Sequence, residues 1–144
     1  MNTARDRQAN QAVLLVGEIL LLGLTASVVA GFDRLFIDST WVRPLLTATV
    51  AAHITMAVMR RLQRGLLLTG LVSLAVMALQ VSWTHYRDTT TFGLPTAETR
   101  DRLDLDITAA WNLFGEVKAP TDATIGFVVI ATVAIWVVAY LSDW

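Results

Sequence analysis

Four stretches of the chain are almost free of charge, and the charged residues are gathered between them. The stretches run over about residues 11–32, 41–59, 65–83 and 123–141. Each approaches the roughly 20 apolar residues that a helix needs to cross a bilayer core. The first contains one charge, Glu18, among about a dozen strongly apolar side chains; each of those favours insertion by about 0.3–0.6 kcal/mol, which together outweighs one acid. The second opens with Arg43, which can snorkel to the interface, and Pro44, which suits a first helical turn. The third and fourth carry no charge at all. The pattern predicts an all-α, polytopic membrane helix bundle forming a single domain over residues 1–144.

A cleavable leader is the competing reading of the first stretch, with Arg5 and Arg7 ahead of it and Val28-Val29-Ala30 as a cleavage-like site. The apolar run exceeds the usual length of about 7–15 residues and contains Glu18, so a retained span is expected.

The segment 84–122, about forty residues between spans three and four, is too long for a bare connection. It predicts one amphipathic helix within about Thr96–Phe114. Thr96 is the expected N-cap, Glu98 lies in the first turn and Gly115 is a natural stop. Leu103, Ile107, Ala110, Trp111 and Phe114 share one face. Because the segment is acidic, that face is expected to pack on protein rather than on an anionic membrane surface.

Composition agrees: 55% of the 144 residues are hydrophobic and 16% charged, against about 25% charged in soluble domains. Four such stretches leave too little polar surface to cover them in water. The net charge of −1 gives no general case for nucleic acid. Cysteine is absent, which removes disulfides and thiolate chemistry, and two histidines make a His-based metal centre an unsuitable expectation.

The charges that remain give an orientation. Arg5 and Arg7 precede span one, and Arg60, Arg61 and Arg64 fill the tight link between spans two and three. The segment 84–122 is acidic. These features predict a multi-pass plasma (inner) membrane protein with a cytoplasmic N-terminus, cytoplasmic topology determinants at Arg60, Arg61 and Arg64, and the long segment outside. Trp41 and Trp83 fall at the expected outer interface, Tyr140 and Trp144 at the inner one, and His85 beside Trp83 reads as an interface residue.

Candidate chemistry is sparse. There is no Gly-rich phosphate loop, HExxH or GxSxG. Asp104 and Asp106 diverge at i, i+2 on a helix and read as a solvated face. Gly65 and Gly70 do not form a small-xxx-small motif. No catalytic, cofactor-binding or metal-binding residue is expected, and no cofactor. Two intramembrane groups stand out, Glu18 and His53. Counted from Gln11 and from Arg60, both lie about 10 Å inside the cytoplasmic face, so they are expected to face each other as a polar pair. A clamp fixing helix register is the leading use of the pair, and proton handling in a small transporter is the alternative, with Gln80 as a further intramembrane polar group.

The run Gly93-Leu94-Pro95-Thr96-Ala97-Glu98-Thr99, an amphipathic helix, then Ala119-Pro120 and a span opening with Gly126-Phe127 resembles the N-terminal membrane region of bacterial transglutaminase-like membrane proteins. The compact Arg60-Arg61-Leu62-Gln63-Arg64 turn fits the same pattern, although Ala97 stands where a proline is common. The resemblance extends over essentially the whole chain. It implies further spans and an outer transglutaminase-like domain with a Cys-His-Asp triad, none of whose residues has a counterpart here. The implied function is that of a non-catalytic membrane domain that anchors and orients the outer domain in cell-envelope metabolism. Its expected partners are the lipid bilayer and the rest of the same protein, since the end at Asp143-Trp144, directly after a span, reads as a fragment. A small accessory subunit of another membrane complex is the third expectation.

Overall fold

A computed structural model describes residues 4–142, without the side chains of 4–11 and 14. The expectations placed on the Arg5 and Arg7 side chains and on Trp144 lie outside the described residues. Five α-helices follow one another: α1 Ala4–Gly31, α2 Val42–Arg61, α3 Leu66–His85, α4 Ala97–Leu113 and α5 Ile125–Ser142. Among the described residues there is no strand, only isolated bridges. The protein is an all-α bundle, and α1, α2, α3 and α5 are long and apolar enough to cross a membrane. Their peripheries keep large apolar side chains uncovered, such as Leu20, Leu67 and Leu71. Around four neighbouring helices such a belt is suited to lipid and not to water.

The centre of the bundle is the seam between α2 and α5. Leu45, Ala48, Ala52 and Met56 of α2 recur at helical spacing and are buried with Val128, Ala131, Ile135 and Ala139 of α5. Ala48 and Ala52 are 0% exposed. They form a small-xxx-small step that lets two backbones approach, the usual device where lipid removes any hydrophobic drive between helices. Polar side chains here bond within the bundle: Thr49 Oγ1 donates back to Leu45 O (2.9 Å), and Trp136 Nε1 of α5 donates to Gln80 Oε1 of α3 (3.0 Å). Tyr140 donates to Leu66 O (3.3 Å), pinning the end of α5 to the start of α3.

At the opposite end, α1 runs into a short 3-10 turn, Phe32–Arg34, and a loop. Phe32, Phe36 and Trp41 gather there with ring centroids about 6 Å apart. Trp41 is therefore a buried member of an aromatic cluster (3% exposed), not an interface anchor. Trp83 does stay half exposed, its Nε1 donating to Gly93 O at 2.6 Å. Gly93 adopts φ +77°, a left-handed turn that suits glycine.

Candidate functional site

Two places concentrate polar or exposed chemistry, one at each end of the bundle. The first is at the end carrying Arg60, Arg61 and Arg64. Glu18 of α1 accepts from Arg60 Nη1 at 3.3 Å and lies 3.9 Å from Arg61 Nη2. His53 instead meets Thr25 of α1, with Nε2 2.9 Å from Oγ1. That hydroxyl donates to Leu21 O (2.9 Å), so His53 supplies the hydrogen to it.

Both residues line one cavity of about 240 Å³ between α1, α2 and α5, but the partners found for them are not each other. The register explains why. Thr25 lies seven residues along α1 from Glu18, and His53 lies seven residues back along α2 from Arg60. In an antiparallel pair the two contacts are successive rungs about 10 Å apart. Glu18 thus stands level with Arg60, at the last turn of α2, and His53 is the deeper group. Counting depth from Gln11 misplaces the alignment by about two turns, since Glu18 and not Gln11 is the residue of α1 that meets Arg60.

The second place is the end capped by α4. Thr96 caps the helix reciprocally with Thr99, and the Thr96 and Thr99 hydroxyls reach Thr89 O at 2.7 and 3.0 Å. The reciprocal cap satisfies the N–H groups of Thr96 and Thr99, and the hydroxyl bonds tie the first turn to the segment after α3. Tyr86, buried at the end of α3, donates to Asp106 Oδ2 of α4 at 2.7 Å. Burial first, then the hydrogen bond and charge of Asp106, push its phenol well above the usual range. His85 lies edge-on to the same ring at 6.3 Å. Arg102 joins Asp88 (2.6 Å) and Glu98 (2.7 Å), and the bond to Asp88 chiefly raises its pKa further.

Under α4, Gly126 of α5 permits a close approach of the two helices: a Cβ there would sit 2.1 Å from Asp106 O and 2.7 Å from Ala110 Cβ. Ala110 is buried, and Leu103 and Ile107 pack on Val81, Tyr86 and Val129. The loops join in too. Ile37 N donates to Thr121 O, and Thr121 N to Leu35 O, both at 2.9 Å. Asp38 Oδ2 accepts from Ala123 N (3.0 Å). Its bond from the Thr40 side chain, then that from Ala123, hold the Asp38 carboxyl below the ordinary range.

The apolar face of α4 is covered only in part. Trp111 and Phe114 are each 71% exposed and stack on one another at 6.3 Å. Phe114 shares the wheel face of Leu103 and Ile107, but it follows the buried Ala110 by a full turn and is left uncovered. It forms the lip of an apolar groove of about 370 Å³, floored by Phe127, Ile130 and Ala134 of α5 and walled by Phe32 and Phe36. The groove, the Gly126 approach and the Ala48/Ala52 step escaped the sequence reading. A search for alanines four apart finds the last of these, whereas the other two depend on tertiary placement. Among the described residues no group of three or more His, Cys, Asp or Glu is placed to hold a metal ion.

No protein-family model, curated protein or solved structure matches the chain.

Proposed function

We propose that the chain is a non-catalytic membrane domain that anchors and orients an extracytoplasmic domain, transglutaminase-like by the resemblance of its short motifs. In this reading the Arg60–Arg64 turn is cytoplasmic, α4 is outside, and the membrane is the bacterial plasma membrane. The observation that carries it is the way α4 is fixed while leaving a face free. A helix tied to α3 by Tyr86 and the threonines, and to α5 through Gly126, cannot swing relative to the spans. Yet it holds a stacked Trp111–Phe114 pair outward. Rigid aromatic side chains of this kind are typical anchors for a protein partner, and an orienting domain needs a fixed contact surface.

The transporter alternative draws on the cavity between Glu18 and His53. Against it, Glu18 has two arginine neighbours and His53 has a hydroxyl partner, so both are engaged within the chain. The genomic reading frame around the Trp144 codon tests the anchor. Further spans and a Cys-His-Asp domain in frame, or encoded by the adjacent gene, are expected. Their absence from both places, together with proton flux by the purified chain in liposomes, would replace this reading by the transporter.

A further inference from the structure

The cavity at the arginine end has the form of an amphiphile. Its inner walls are Ile19, Leu22, Val50, Ile54 and Ala57 with the single polar group of His53 among them, and Glu18 and Arg60 stand at its boundary level. It is partly open and lined mainly by aliphatic carbon, and the His53 Nε2 that reaches it is already bonded to Thr25 Oγ1. An unfilled space would forfeit dispersion contacts along these side chains. Charge then selects among lipids. Among the described residues at this end, Arg60, Arg61 and Arg64 face one acid, Glu18. The Arg61 side chain is 68% exposed even while 3.9 Å from Glu18, so its guanidinium has donors to spare.

We propose that this cavity holds an anionic phospholipid, with its phosphate on Arg61 and Arg60 and one acyl chain between α1 and α2 against Leu22, Ile54 and Ala57. Glu18 competes with the phosphate for the same two arginines, so it sets the affinity and keeps the arginines aligned when no lipid is present. The bidentate fork of arginine suits a phosphate. The site is independent of what, if anything, docks on α4.

The test uses the full chain purified into micelles containing equal phosphatidylglycerol and phosphatidylcholine, with retained lipid counted by native mass spectrometry and folding followed by circular dichroism. Phosphatidylglycerol should be retained over phosphatidylcholine by about fivefold or more, the preference that one or two surface cations confer. Arg61→Gln should remove most of that preference. Glu18→Gln should strengthen retention by about fivefold, because it removes the competing charge. Ala57→Phe, which fills the chain pocket without altering charge, should release both lipids, with Ala57→Leu as the milder substitute if the first does not fold. Inorganic phosphate at millimolar concentration should not displace the lipid. Equal retention of the two lipids, unchanged retention in the folded Ala57 variant, weaker retention in Glu18→Gln, or displacement by phosphate alone would each overturn the assignment.

Discussion

Gly126→Ala adds a single methyl group where α5 passes beneath α4. The new Cβ would lie 2.1 Å from the backbone oxygen of Asp106, whereas a carbon and a carbonyl oxygen settle at about 3.3 Å or more. The obstacle is helix backbone, so no side-chain rotation relieves it, and α4 must lift by roughly 1.2 Å. Overpacking of this kind costs about 1–3 kcal/mol. The same lift lengthens the 2.7 Å bond from Tyr86 to Asp106, and a bond to a charged group contributes about 1.5–3 kcal/mol. Partial loss of that bond brings the expected destabilisation to about 3 kcal/mol. Reversible unfolding in mixed micelles, followed by tryptophan fluorescence, reads the total. Hydrogen exchange should show the α4 amides losing protection before those of α2. Gly115→Ala is the control, since a Cβ there has nothing within 4 Å, and it should stay within about 0.5 kcal/mol of the parent. If Gly126→Ala matches the control and α4 remains protected, the seating of α4 on α5 described above is incorrect.

Four further outcomes follow from the same contacts. Tyr86→Phe should destabilise the packing of α4 on the bundle by about 1.5–3 kcal/mol by removing the donor from Asp106. Because the folded phenol is held above its ordinary value of 10.0, the parent should lose stability as pH rises beyond about 10, where the unfolded chain ionises first; Tyr86→Phe should lack that loss. Asp38→Asn should weaken the join between the loop and the start of α5, and because the folded carboxyl is held below 3.8, the parent's advantage should be present above that value and vanish as pH falls through the lower one, measured by acid titration of stability. Ala52→Leu, at the closed α2–α5 seam, should cost about 1–3 kcal/mol in micelle unfolding. In double-mutant cycles Glu18 should couple to Arg60 by about 0.5–1 kcal/mol and be additive with His53.

The spans were legible because charge is excluded from them, a signal that needs no tertiary knowledge. The start of α4 was legible because Thr96 carries a local cap that its own segment completes. Register was not legible. Hydropathy locates the apolar stretches but not which residue of α1 meets which of α2, and it is Glu18 that stands opposite Arg60. That difference exchanged the expected Glu18–His53 pair for Glu18–Arg60 and Thr25–His53. Trp41 and Phe114 erred for a related reason. Their residue type and wheel position are local, while the aromatic cluster that buries one and the open groove that exposes the other depend on tertiary placement.

Four helices are long and apolar enough to cross a membrane, and the proposed anchoring role requires α4 outside and the arginine turn on the opposite side. The chain contains no cysteine, so single substitutions report cleanly. Leu62→Cys and Asp101→Cys, each treated in intact cells with a membrane-impermeant maleimide and again after permeabilisation, test it directly. Labelling at position 101 in intact cells, with position 62 reached only after permeabilisation, is the predicted result. Labelling of both positions in intact cells would contradict the span count, and labelling of position 62 alone would invert the orientation on which the anchoring role depends.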